Sequence, residues 1–459
     1  MRFNTEILIL SIVSLLFKVV TAFVHPIGIH GRYFIDSVTR EPFFIRGVDY
    51  QPGGSSSVSE IEDPLSDPTI CARDIVLFQE LGINTIRVYS INPDLNHDIC
   101  MTMLASAGIY LVLDVNSPLP NQHLNRYEPW TTYNNNYLEH VFKVVEQFTA
   151  YNNTLGFFAG NEIVNDKKSA NNSPAFIKKL VSDMKTYISI HCNRFVPVGY
   201  SAADDLDFRI SLSKYLECSD GSVNDAIDFY GVNSYQWCGE QTFYTSGYDT
   251  LVRDYEEYIR PVFFSEYGCN QITPRLFEEV ATIYSNDMIG VFSGGLVYEF
   301  TQEPNNYGLV DVDKNGNVKL LADFDHLKTQ YATVEYPTGK KILDLHNRNG
   351  RSKKRLGSQS IPVCEPEYES LDVSKQVEES IGVRLIRTGV DVQLGKYVTL
   401  YEEELYSQYN ITNSDGSPFS GSRKVKIINP IDEISEYESL RLNQLQSNCK
   451  FYKNKTRNQ

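Results

Sequence analysis

The strongest constraint on the fold is a unit that recurs eight times between residues 42 and 300: a short apolar run, rich in β-branched and aromatic residues, that closes on polar ones. The runs are 42–50 (PFFIRGVDY), 85–90 (TIRVYS), 109–116 (IYLVLDVN), 154–162 (TLGFFAGNE), 195–201 (FVPVGYS), 228–235 (DFYGVNSY), 262–268 (VFFSEYG) and 294–300 (GGLVYEF). Segments of helical period lie between them, among them 71–81, 137–150 and 174–190, the last opening on Ser173 as predicted N-cap with Pro174 at the first helical position. Strands alternating with helices imply a parallel sheet, and eight such units imply an α/β fold closed as a (β/α)8 TIM barrel. An open doubly wound sheet is the alternative. It wants a GxGxxG turn after an early strand, and Gly53-Gly54 lacks that spacing.

In such a barrel the interior is packed and chemistry sits at the C-terminal strand ends. Six of the eight runs close on groups that can bond or protonate a sugar: Asp49-Tyr50, Tyr89-Ser90, Asp114 to Asn116, Asn161-Glu162, Ser234-Tyr235 and Ser265-Glu266-Tyr267. Most glutamates are solvated surface groups. Glu162 and Glu266 instead follow apolar runs, on the fourth and seventh strands, which face each other across a barrel mouth. Splitting a glycosidic bond needs a proton donor at the leaving oxygen and an anion at the anomeric carbon, with carboxyl groups ~5–5.5 Å apart in a retaining enzyme. Two converging glutamates supply both.

The rest of the chain bears on compartment and partners. Arg2, the apolar run 7–17 and the small residues Thr21 and Ala22 have the shape of a signal peptide over 1–22. A membrane anchor is the other reading, but Lys18 interrupts the run short of the ~20 residues a span needs. A net charge of −16 without a basic stripe argues against nucleic acid. Eight dispersed cysteines suit an oxidising compartment, and sequons begin at Asn152, Asn171, Asn410 and Asn454. No HExxH or clustered Cys/His set points to a metal, and no cofactor motif is present, so neither is expected. The catalytic barrel is expected over 25–335. A linker over 336–372 follows, with the basic stretch 346–355 and the dibasic pair Lys354-Arg355. Beyond it a small β-rich unit is expected over 373–432, from the alternation in 383–400, and then a polar tail over 433–459 with no apolar end to direct a GPI anchor.

Taken in order, 47–56 (GVDYQPGGSS), 81–90 (LGINTIRVYS), 108–117 (GIYLVLDVNS), 156–162 (GFFAGNE), 198–205 (VGYSAADD), 230–239 (YGVNSYQWCG), 262–270 (VFFSEYGCN) and 294–302 (GGLVYEFTQ) closely resemble the fungal β-1,3-glucanosyltransferases, the Gas/Gel group of glycoside hydrolase family 72. The resemblance covers about 25–335 densely and continues more faintly through the post-barrel segment. It implies a secreted, retaining transglycosylase of the cell wall, expected as a monomer, with β-1,3-glucan as both donor and acceptor. Glu162 is then the acid/base and Glu266 the nucleophile, while Asn161 holds the 2-hydroxyl of the sugar. Tyr89, Asp204, Arg209 and Tyr298 match substrate-binding positions, and Gln51, Asp114 and Tyr235 are expected to line the same groove. Arg209 could equally neutralise Asp204, Asp205 or Asp207. Implied too are disulfides Cys71–Cys100, Cys238–Cys269 and Cys218–Cys364, with Cys192 and Cys449 either paired together or free. Many family members end in a GPI signal, which this C-terminus does not display. A β-1,3-glucanase using water as acceptor, or a non-catalytic glucan-binding wall protein, are the competing readings.

Overall fold

The computed structural model describes residues 24–348 and 360–428, apart from residues 56, 376, 378 and 379. The expected signal peptide, the polar tail, Lys354-Arg355, Cys449 and Asn454 lie outside the described residues. Three short antiparallel strands come first: β1 (Ile27–His30), β2 (Tyr33–Asp36) and β3 (Pro42–Phe43). Eight parallel strands then close into a barrel: β4 (Ile45–Asp49), β5 (Thr85–Val88), β6 (Tyr110–Asp114), β7 (Thr154–Asn161), β8 (Val198–Ala202), β9 (Phe229–Ser234), β10 (Val262–Tyr267) and β11 (Phe292–Val297). Closure runs through β11 against β4, with Gly294 opposite Ile45. Each strand falls on one of the eight apolar runs, so the α/β barrel is as the sequence implies.

The barrel is filled rather than hollow. Phe34 of β2 packs against Phe229 and Phe263, centroids 5.7 and 5.8 Å away, and Phe158 closes on Phe229 at 5.2 Å. Each buried ring contributes about 1.5–3 kcal/mol. Gly199 on β8 is dictated by this plug, because a Cβ there would lie 2.4 Å from the Phe229 ring.

Outside the barrel, local chemistry sets the helix ends. Asp67 caps Pro68–Leu81 through Thr69 N at 2.8 Å, and Gly82 ends it at φ 71°, where a side chain would be strained. Asn134 caps Asn135–Thr149 through Tyr137 N at 3.0 Å. Ser173 departs from expectation. It precedes Pro174–His191, but the helix Lys167–Asn172 runs straight into it, so its backbone is already helical and its hydroxyl donates to Arg126 O instead of capping.

Past residue 335 the chain carries helices as well as a small β unit. The helix Gly339–Arg348 occupies the start of the expected linker, and His346 is buried 3.1 Å from the Tyr33 hydroxyl. A small sheet does follow the barrel, β12 (Val310–Val312), β13 (Val318–Leu320) and β14 (Ile411–Thr412), but only β14 comes from beyond 373. The alternating stretch 383–400 holds the helix Val383–Thr388 and then a strap without strands. Of its apolar residues, Leu385, Ile386, Val390, Tyr397 and Leu400 pack on the barrel's core, while Val383 and Leu394 are exposed. The strap's amides find side chains of barrel helices instead of a partner strand: Val390 N to Tyr187 Oη at 3.0 Å, Lys396 N to Asp98 Oδ1 at 2.9 Å and Val398 N to Thr102 Oγ1 at 3.1 Å. Alternation here reflects a strap with one side on protein and one on water.

The three disulfides implied by the resemblance are present: Cys71–Cys100, Cys218–Cys364 and Cys238–Cys269. Cys192 is buried. Of the sequons, Asn171 and Asn410 are exposed and Asn152 is half-buried.

Candidate active site

Glu266 lies at the C-terminal end of β10 and is only 7% exposed. Three donors hold its carboxylate. Tyr89 Oη donates to Oε1 at 2.8 Å, Arg87 Nη1 reaches the same oxygen at 3.2 Å, and Tyr235 Oη donates to Oε2 at 2.7 Å. Burial pushes the Glu266 carboxyl up, to about 7, with Arg87 pulling it down, the Glu162 charge adding to the rise, and the tyrosine hydroxyls siding with Arg87. Burial also raises the Tyr89 and Tyr235 phenols well above their usual value, so both stay protonated donors.

Arg87, from β5, is the hub beneath. It is wholly buried, pairs with Asp114 through Nε at 2.8 Å and Nη2 at 3.3 Å, donates to Ser265 O at 3.2 Å, and lies over the Tyr89 ring at 4.3 Å. Asp49 of β4 stands 4.0 Å away, and burial raises its carboxyl well above the usual range against the pull of Arg87.

Glu162 follows β7 directly and takes φ +49°, a left-handed conformation uncommon for residues other than glycine. Its amide donates to Ser201 O at 2.9 Å, which carries the chain off the strand, and its Oε1 accepts from Asn233 Nδ2 at 2.7 Å. It is half-buried. Asn161 also takes an Asn233 hydrogen, on Oδ1 at 3.3 Å.

A cleft of about 680 Å³, lined by Tyr89, Asp114 and Asn161 with Asn116, Arg126 and Tyr127, opens next to the residues that flank or touch the two glutamates. Tyr298 stands edge-on to Tyr89 at 6.3 Å, to Tyr235 at 6.5 Å and to Tyr307 at 5.2 Å, forming an aromatic wall over Glu266. The Cys238–Cys269 bridge joins the loops after β9 and β10, just beyond Tyr235 and Glu266.

The sequence-predicted residues therefore separate into two tiers. Glu162, Glu266, Tyr89, Asn161, Tyr235 and Tyr298 meet at the mouth. Asp114 lines the cleft but commits both oxygens to Arg87. Gln51 is buried and braces the end of β5, with Oε1 accepting from Tyr89 N at 3.1 Å and Ser90 N at 3.2 Å and Nε2 donating to Ser57 O. Arg209 is buried as well. Its Nη1 donates to Asp204 Oδ1 at 3.0 Å, and Asp204 Oδ2 accepts from Tyr235 N at 3.0 Å, so the pair fixes the backbone of a residue that touches Glu266. Sequence reasoning did not single out Arg87, Asn233 or Ser201, and it named Ser265 only as part of the polar end of its strand. The available signal was polar residues inside runs otherwise buried on both faces.

The barrel that carries this site is similar in sequence and fold to known proteins. The family described as Glucanosyltransferase, Glyco_hydro_72, matches residues 16–335. The chain is 59% identical to 1,3-beta-glucanosyltransferase GAS4 of Saccharomyces cerevisiae, over 88% of this chain and 84% of that protein. It is 43% identical to 1,3-beta-glucanosyltransferase gel2 of Aspergillus fumigatus, over 86% and 82%. Among solved structures, apo Saccharomyces cerevisiae Gas2p superimposes with TM-score 0.68 at 37% identity, covering 78% of this chain and 73% of that one. Gas2p in complex with laminaritetraose and laminaripentaose superimposes with TM-score 0.63 at 41% identity, covering 68% and 69%.

Proposed function

The chain belongs to the glucanosyltransferases of glycoside hydrolase family 72, and from that membership we propose that it cleaves a β-1,3-glucan internally and transfers the new end to a second glucan by a retaining double displacement, with Glu266 as nucleophile and Glu162 as acid/base. In the first step Glu266 attacks the anomeric carbon. The bond from that carbon to Glu266 forms, the glycosidic bond breaks, and the Glu162 proton passes to the departing oxygen. In the second, Glu162 takes the proton of an incoming glucan hydroxyl, whose oxygen displaces Glu266. The product is a longer chain.

The observation that carries this reading is the unequal hold on the two carboxyls. Both oxygens of Glu266 accept from fixed donors, which suits an anion that must stand still. Glu162 has one side-chain donor, on Oε1, and is half-buried, which suits a group that a leaving oxygen and then an acceptor must reach. Asn161, beside it in the cleft, is read as the partner of the sugar 2-hydroxyl. We read the working unit as a monomer. Three disulfides support action outside the cytosol, at the cell wall.

The test is incubation with a reduced β-1,3-gluco-oligosaccharide and resolution of products by size. Products longer than the substrate are expected. Shorter ones alone would make the protein a glucanase, and no products from folded protein would make it a glucan binder.

A further inference from the structure

Asn233 sits on β9 between the strands that carry the two glutamates' neighbours, wholly buried. Its Oδ1 lies 3.1 Å from Ser201 Oγ of β8 and 2.8 Å from Ser265 Oγ of β10, with both hydroxyls placed to donate to it. The two hydroxyls are 2.9 Å apart, so at least one serine hydrogen rests on Oδ1 in any arrangement. An amide's two ends are told apart only by their partners, and here they agree. The carbonyl faces two hydroxyls, while Nδ2 faces two acceptors, Glu162 Oε1 at 2.7 Å and Asn161 Oδ1 at 3.3 Å. Gly231 shares in the arrangement, since a Cβ there would lie 2.5 Å from Ser265 Oγ and drive that serine away.

Resting on the acid/base reading of Glu162, we propose that Asn233, locked by Ser201 and Ser265, is a positioning residue that assigns the catalytic proton to Oε2 of Glu162 and turns the amide nitrogen of Asn161 toward the glucan. An oxygen that already accepts a hydrogen bond from an amide is the worse place for the acid's own hydrogen, so the hydrogen takes the other oxygen. When Glu162 has given up its proton, the same amide supports the carboxylate left behind. Asn161 spends its carbonyl on Asn233, and its two N–H groups remain for the sugar hydroxyls in the cleft that it lines.

The experiment compares two substrates that share the sugar and differ in the leaving group: a reduced β-1,3-gluco-oligosaccharide, whose leaving oxygen needs a proton, and the matching β-glycosyl fluoride, whose fluoride does not. For Asn233→Ala, turnover of the oligosaccharide is expected to fall on the order of 10²-fold in kcat with little change in KM. The first-turnover burst of fluoride is expected to stay within about threefold of the parent enzyme. The double variant Ser201→Ala/Ser265→Ala keeps Asn233 and removes only its lock, which leaves the question answerable if Asn233→Ala does not fold. The same contrast between substrates is expected, at about tenfold. Equal losses on both substrates, or a rise in KM without a fall in kcat, would overturn the proposal. A parent enzyme that turns over neither substrate would instead remove the functional reading on which it rests.

Discussion

The β10 end and the β7 end of the barrel mouth each present a glutamate, and the sequence describes them in nearly the same terms, a carboxylate closing an apolar run. The structure treats them oppositely. Glu266 is buried under an arginine and two tyrosines, whereas Glu162 sits on a left-handed turn, half-buried, with one amide. What differs is the shell and not the residue: a cation and two hydroxyls hold the Glu266 carboxylate in place against the burial that raises its pKa, and partial exposure on a turn leaves Glu162 within reach.

The sharpest way to break the comparison is to neutralise each end. Glu266→Gln should abolish turnover of oligosaccharide and fluoride alike, while Glu162→Gln should lose on the order of 10²–10⁴-fold on the oligosaccharide yet keep the fluoride burst. Matching behaviour of the two variants in that assay would mean that the roles are wrongly divided. A smaller effect tests the hold on Glu266. Tyr235→Phe removes one charge-assisted bond of about 1.5–3 kcal/mol, so kcat should drop about 10- to 100-fold with glucan affinity retained.

The pH profile reads the same shell. Because burial raises the Glu266 carboxyl to about 7, activity should climb as pH rises through that value and Glu266 ionises. Tyr235→Phe should push this limb to higher pH, and a limb that stays in place would show that Tyr235 does not bear on the nucleophile. The smallest expected effect is on stability. A carboxyl raised in the fold costs stability as pH climbs from its unfolded value, about 4.3, toward its folded one. Glu266→Gln should therefore melt at higher temperature than the parent at pH 8 and not at pH 4, by about 1 °C per kcal/mol relieved.

The parts of the site legible in the sequence were those at strand ends, where a polar residue interrupts an apolar pattern. Glu162, Glu266, Tyr89 and Tyr235 announce themselves in this way. Arg87 does not, because TIRVYS reads as an ordinary alternating strand until the barrel closes and turns its guanidinium inward over Phe158. Ser201, Asn233 and Ser265 fail for the same reason, since their meaning lies in a contact across three strands that no single run contains. Asp114 and Gln51 were legible as important but not as to what they touch, whereas the pairing of Arg209 with Asp204 was among the readings the sequence offered. The strap over 383–400 misled because alternation records which side is dry, and a helix surface dries a passing chain as well as a sheet does.

One consequence follows from the Cys218–Cys364 bridge, which closes a ring of chain 146 residues in span and encloses β10, the strand that carries Glu266. A single cut of the backbone anywhere inside that ring leaves both fragments on one covalent object, and the strap beyond Cys364 stays moored to the helices it crosses. Such a nicked molecule would run as one band without reductant and as two with it. Where a protease cuts inside it, the ring lets the molecule lose a peptide bond without losing a part.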